Sequence, residues 1–433
     1  MKGMNLAIVL AIAGLVVGAG VGYYLMPTKT VTTTQIVNQV PLKNAVIQLG
    51  FISPDDPGIE SGKPLHTLMT ADENAYLAKL GYGATVKWLV DNCVESDNVH
   101  LEKVQSFRSL GITVVEGGGW SSQAGGSLSY MNENHMLLWS WSSTSPTYAI
   151  ANDCLFRMCP NDFVLAPGLA TTMDAWGIKS CIIIVRADSW GDGIVNLFKP
   201  VWAGLGHELA GDAIRYDPAA KEFTNYLQIA ETQAEGAIAK YGKEHVGAII
   251  LSFSEAAILG SQAGDYPSYY SIKTFGGDGT AYNTRMMANS PQNSVDQVYF
   301  SLQASAPSTP KWDALKARYE PLSKLQMGPY DAFQYDIGDV IIGSMTQVQS
   351  QNAVDIIPVQ ISYCANMFGV GGWCRLQDTG DRAPPMLSIL GYVWNADHNA
   401  AVEVIYGYYD GSSNSVAWNM PLLTAHGLTI PGQ

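Results

Sequence analysis

Charge is scarce in this chain. Asp, Glu, Lys and Arg make up only 14% of 433 residues, and 24 Lys and Arg stand against 38 Asp and Glu, a formal net charge of −14. So few cations cannot track a phosphate backbone, which excludes nucleic acid as a partner. Histidine is thin as well, at seven, and none is paired at metal spacing; His207-Glu208 lacks the second histidine of a zinc helix. Asp188 and Asp192-Gly193 lack the remainder of a calcium loop. There is no Cys-x-x-Cys and no Asn-x-Ser/Thr acceptor, and Gly119-Trp120-Ser121-Ser122-Gln123 fails the nucleophile-elbow pattern at its last position. The glycine runs at 117–119 and 276–280 lack the lysine of a phosphate loop. These absences exclude a resident metal or cofactor and point to binding rather than catalysis.

One long apolar run is present. Residues 6–26 (LAIVLAIAGLVVGAGVGYYLM) carry no charge, and at 1.5 Å rise they span roughly 30 Å, enough to cross a bilayer core. Tyr23 and Tyr24 fall at its far end, where amphipathic rings favour the interface. Residues 1–26 therefore read as a membrane anchor or a cleaved signal segment, the run being longer than the usual apolar core of a signal. The Thr-rich stretch 27–44 reads as an extended linker, and the bulk of the chain is expected on the cell surface. Six cysteines in an exported protein raise the question of disulfides. Cys364 and Cys374, flanking the turn MFGVGGW, are the best pair; Cys154 with Cys159 is a second. Cys181, inside an apolar strand, reads as a free buried thiol.

Elsewhere, apolar runs alternate with amphipathic stretches. Strands are expected at Ala45–Ile52, Ala84–Val90, Ile112–Val115, Met136–Trp139, Ser180–Val185, Ala213–Tyr216, Gly247–Phe253 and Ser271–Phe275. Helices are expected at Thr70–Leu80, Val99–Leu110, Val195–Leu205, Phe223–Tyr241 and Pro329–Gln349. That rhythm predicts an α/β protein with parallel sheets covered on both faces. Two such arrays in succession suggest two Rossmann-like lobes, with 45–164 plus 304–375 as lobe I and 165–303 plus 376–433 as lobe II. The stretch from Trp141 to Gly193 reads as one βαβ unit preceded by the polar loop WSSTSPTY. Such a loop at a strand's carboxyl end offers hydroxyls and N–H groups where open α/β sheets bind ligands.

Several pieces, in order, resemble the branched-chain amino-acid-binding family of type I periplasmic substrate-binding proteins of ABC transporters: VDNCVESD, GGGWSS, SSTSPTY followed by LFR, RADSWGDG, RYDPAAKEF, FGGDGT and GVGGWCRLQDTGDR. The resemblance covers most of residues 45 to 412. Lys2-Gly3-Met4 is similar to the cleavage site of archaeal class III signals, which implies an archaeal source. The resemblance implies two hinged lobes joined by three crossovers, a solute between them, and a permease as partner. On the residues, Ser142 and Thr144 match the loop that holds an amino-acid head group. Ser121 or Ser122 matches a serine for the carboxylate, and Asp278 the acidic residue for the ammonium. Phe253 stands where the family often places an aromatic, and Trp120 and Trp141 are candidate pocket walls. The ligand is then an amino acid or a similar small polar solute. The rival expectation is a structural or sensory surface protein using the same fold without transport.

Overall fold

The computed structural model describes residues 42–432 apart from 290, 385 and 396–399. The expected anchor (1–26) and nearly all of the linker (27–44) lie outside the described residues. Among the described residues no helix is long and apolar enough to cross a membrane.

Two sheets organise the fold. The first runs β2-β1-β3-β4-β5 and is parallel throughout: β1 (Val46–Ser53), β2 (Thr85–Asn92), β3 (Val114–Glu116), β4 (Leu137–Ser140) and β5 (Leu155–Arg157). Alternate side chains go to opposite faces, as the period of a strand requires. Val114 and Leu137 pack with Phe333, Ile337 and Ile341 of helix Pro329–Val348. Val115 and Leu138 pack with Val104 and Phe107 of helix Asp97–Ser109 and with Leu128 of helix Ser121–Glu133.

The second sheet has a parallel centre: β6 (Ser180–Arg186), β7 (Glu208–Leu209), β8 (Ile214–Tyr216), β9 (Val246–Leu251), β10 (Lys273–Gly276) and β11 (Phe300–Ala304). After the small hairpin of β12 (Phe368–Gly369) and β13 (Gly372–Trp373), the chain adds an antiparallel edge to β11. That edge is β14 (Leu387–Asn395), β15 (Ala400–Asp410) and β16 (Ser415–Trp418). All seven residues of β6 are buried, as expected of a strand covered on both faces. Ile182 and Ile184 face helix Thr224–Tyr241, whereas Ile183 and Val185 face helices Leu165–Trp176 and Ser189–Gly204.

Three expectations need correction. The stretch 141–193 is not one βαβ unit, because β5 closes the first sheet while β6 belongs to the second. Residues 158–164 therefore cross between the sheets, and helix Leu165–Trp176 packs on the second. The helix expected at Thr70–Leu80 starts at Asp56. Asp55 caps it by accepting from Gly58 N–H at 2.7 Å, and Pro57 falls in the first turn, where a missing N–H removes no bond. The turn-like composition of SPDDPG is thus a helix start. Finally, all six cysteines are free and buried. Cys374 turns its Sγ toward Asp336 Oδ2 (3.8 Å) and the Gly372 carbonyl (3.6 Å), not onto Cys364. Cys154 and Cys159, an odd number of residues apart, belong to cores on opposite faces of the first sheet. Cys181 is a free thiol buried in β6.

Trp176 anchors the second lobe's inner core, fully buried with Phe300 and Trp418 rings at 5.0 and 5.3 Å. Trp176→Ala is expected to destabilise the fold by roughly 3–5 kcal/mol. The urea midpoint measures this, and an unchanged midpoint would contradict the packing.

Candidate functional site

The carboxyl ends of β3 and β4 deliver two polar loops to one place. Gly118 sits at φ +59, a left-handed turn that favours glycine, and it brings the chain to Trp120, which opens helix Ser121–Glu133. Ser140, the last residue of β4, donates to the Gly118 carbonyl (2.9 Å) and accepts from Ser143 N–H (3.0 Å) and, at 3.4 Å, Ser142 N–H. Ser121 Oγ accepts from Thr144 N–H (3.2 Å) and Ser145 N–H (3.1 Å). Two serine hydroxyls therefore hold four consecutive backbone donors of the 142–145 loop.

The opposite side of that loop is fixed by Arg157, wholly buried. Its Nη1 donates to the carbonyls of Ser143 (3.1 Å) and Ser145 (2.8 Å), and its Nε to Asp381 Oδ1 at 2.5 Å. Asn161 and Thr379 donate to Asp381 Oδ2 at 2.9 and 2.8 Å. Two of the connections between the sheets are thereby tied to the loop. Arg157 lies in LFR and Asp381 in TGDR, motifs recognised in the sequence without their pairing.

From the second sheet comes Asp278, in the turn after β10. Its neighbour Gly279 has no room for a side chain: an added Cβ would lie 2.5 Å from the Phe253 ring and 2.6 Å from the Ser252 carbonyl. Tyr330 donates to Asp278 Oδ2, while Oδ1 is buried without a partner. Burial pushes the Asp278 carboxyl up to about 6, against the opposing hydrogen bond from Tyr330. Asp162, in the 158–164 crossover, is pushed up as well, first by burial and then by the charge of Asp278 beside it.

The structure brings Trp120, Ser142, Phe253 and Asp278 together around one cleft of about 200 Å³, with Tyr330, Asn283 and Arg285 completing its wall. Thr144 and Asp278 share a second, much smaller cavity with Asp162, Gln303 and Tyr330. Trp120 stacks on Phe253 at 4.9 Å and Phe253 on Trp190 at 4.6 Å, with the Arg186 guanidinium 4.7 Å from the Trp120 ring centre. The walls of the cleft thus touch through aromatic rings.

Three candidates lie elsewhere. Ser122 donates to Asp97 Oδ1 (2.8 Å), joining two helices. Ser121 is buried inside the loop it braces. Trp141 packs into the core beside Phe51, at 5.6 Å. Asp55, Asp162, Asn283, Arg285, Gln303 and Tyr330 were not singled out from the sequence, and only their placement in space identifies them. A larger groove of about 790 Å³, lined by Phe163, Met386 and Tyr409 among others, contains no buried polar atom lacking a partner.

Two predictions follow from this geometry. Arg157→Met leaves Asp381 buried without its cation and is expected to cost about 3–5 kcal/mol of stability, read from denaturant midpoints. An acid whose pKa is higher folded than unfolded stabilises the fold only while protonated, so that contribution is lost as pH rises through about 6. The ligand-free protein should then melt higher near pH 5 than near pH 7, and Asp278→Asn should shrink the difference. Equal pH slopes in both proteins would contradict it.

Residues 77–210 match the family model described as the receptor family ligand binding region. Over 415 residues the chain is 24% identical to an uncharacterized protein of Methanocaldococcus jannaschii, covering 89% of this chain and 94% of that one. A leucine binding protein from Thermotoga maritima superposes with a TM-score of 0.68 at 14% identity, over 84% of this chain and 98% of its own. A branched-chain amino acid transporter substrate binding protein from Streptococcus pneumoniae, in complex with isoleucine, gives 0.66 at 13% identity, over 83% and 99%. These likenesses bear out the fold that the sequence resemblance implied: the chain has the two-lobed α/β architecture of the type I periplasmic binding fold, the fold of these substrate-binding proteins.

Proposed function

We propose that the chain is an extracytoplasmic solute-binding protein that captures an amino acid or a similar small polar solute between its lobes by hinge closure. The observation that carries this reading is the half-partnered, buried carboxylate of Asp278 in a cleft walled from both sheets. A buried carboxylate oxygen without a donor is unfavourable, and a cationic group on the solute would relieve it. In this reading lobe I (45–164 plus 304–375) brings Ser142, Thr144 and Trp120, and lobe II (165–303 plus 376–433) brings Asp278 and Phe253. Contacts made only when both walls meet the solute shift the population toward the closed form. A membrane permease driven by an ATPase would receive the closed form, and residues 6–26 would keep the protein at the cell surface.

A second reading, a structural or sensory surface protein, draws on the Trp120–Phe253 stack that fills part of the cleft. The two are separated by a thermal-shift screen of the full chain in detergent against amino acids and related solutes. A ligand at 100 times its Kd adds about 2.7 kcal/mol of stability, whereas a scaffold responds to none. For a solute that binds, Asp278→Ala should weaken affinity by about 3–5 kcal/mol, the penalty for stripping a buried cation of its partner. Calorimetric titration reads that loss, and undiminished affinity would remove Asp278 from the site.

A further inference from the structure

Resting on the solute-binding reading above, we propose that the cleft is built for a primary amine cation, held by its ammonium between Asp278 and Asp162, and not for the carboxylate of a zwitterion.

The hydrogen-bond inventory separates the two chemistries. A carboxylate needs donors, and the loop expected to supply them has no backbone N–H to offer: those of Ser142 to Ser145 are engaged by the Ser140 and Ser121 hydroxyls, which leaves only the Thr144 hydroxyl. The Ser142 hydroxyl itself donates to the Gly119 carbonyl at 2.7 Å. Tyr330 donates to Asp278 Oδ2, and Asn283 Nδ2 to the carbonyls of Phe253 (3.0 Å) and Gly279 (3.3 Å). The Trp190 indole N–H is directed at the Asp278 carboxyl without reaching hydrogen-bond geometry, and its Nε1 is buried without a partner. Arg285 is the cation of the cleft wall, and it stands at the rim between Ser254 Oγ (3.3 Å) and Glu95 (3.9 Å).

Acceptors, in contrast, are in surplus. Asp278 Oδ1, Asp162 Oδ2 and Gln303 Oε1 are all buried and unpartnered, on residues at most 6% exposed. All three residues line the smaller cavity, about 10 Å³ in volume, room for the centre of about one water-sized group. Thr144, whose hydroxyl is turned toward Asp162 without meeting it in hydrogen-bond geometry, closes the cage. Arg157, the cation whose charge reaches Asp162, is bound to Asp381 through Nε at 2.5 Å, and its Nη2 is buried without a partner and makes no hydrogen bond to Asp162. Water brings two protons and no charge. A primary ammonium brings three N–H donors and a positive charge, one donor for each unpartnered acceptor. Secondary and quaternary amines have too few donors.

Asp278 and Tyr330 line both cavities. The proposal places the substituent of that ammonium in the adjoining 200 Å³ cleft, against Trp120, Phe253, Ala281 and Tyr282. Those walls suit an apolar or aromatic tail of a few carbons.

The test is calorimetric titration of the full chain in detergent with three probes: leucine, 3-methylbutylamine (leucine without its carboxylate) and 4-methylpentanoate (leucine without its ammonium). The proposal expects the amine to bind at least as tightly as leucine and the acid not at all. Asp162→Asn, close in shape to the protonated acid, should weaken amine binding at least tenfold. Gln303→Leu removes one acceptor without changing charge and should weaken it as well, which guards against an Asp162 variant that fails to fold. Leucine binding tenfold tighter than the amine, or amine binding indifferent to both variants, overturns the ammonium cage and leaves solute binding standing. No binding by any probe, together with silence across the broader thermal-shift screen, removes both.

Discussion

A carboxylate buried without a counter-charge sits at the junction of the two sheets, and the architecture of the site follows from how its surroundings treat it. Removing an ionised carboxylate from water is unfavourable by several kcal/mol unless cations or donors replace the lost hydration. Nearby, the fold provides that replacement in full. Arg157 meets Asp381, and Asn161 and Thr379 complete the acid's hydrogen bonds. At Asp278 it stops halfway, with Tyr330 on one oxygen and no partner on the other. One pair makes a strut, and the other carboxylate is, in the proposed reading, completed by a solute.

The strut explains how the cleft is held. Arg157 grips the Ser143 and Ser145 carbonyls from below, and Ser121 and Ser140 grip the loop's N–H groups from the side. The loop is thereby rigid in both directions, and its place relative to the crossovers is set through Asp381. A loop held this way has its N–H groups and the carbonyls of Ser143, Thr144 and Ser145 already bonded within the protein. Such preorganisation lowers the ordering needed when a ligand arrives. In the proposed reading it also selects by sign: carboxylate oxygens left without partners repel the anionic end of a solute and draw the cationic one.

Much of the fold was legible because its signals are local. Apolar runs such as Ser180–Val185 and Gly247–Phe253 mark buried parallel strands, and their alternation with helices marks the class. What escaped was nonlocal or disguised. The Pro- and Asp-rich start of helix Asp56–Lys79 has a turn's composition, and only the Asp55 cap distinguishes it. The crossing from β5 to β6 cannot be told from a βαβ unit until the strands are seen in separate sheets. At the site, Asp278, Ser142, Phe253 and Trp120 were found through motif resemblance, and the structure gathers them at one cleft. Asp162 and Gln303 carry no motif, being 116 positions from Asp278 on one side and 25 on the other in the numbering. Ser121 and Ser122 have the right chemistry, but hydrogen bonds to Thr144, Ser145 and Asp97 direct it to the scaffold.

The central claim is that Asp278 Oδ1 is kept without a protein partner because a solute supplies one. A high-resolution crystal structure of the protein isolated without denaturation and soaked with 3-methylbutylamine examines this directly. The account predicts a nitrogen about 3 Å from Asp278 Oδ1, shared with Asp162, with its carbon tail against Phe253. An Asp278 bonded instead to ordered water or to a protein donor, with no solute between the two sheets, would contradict it.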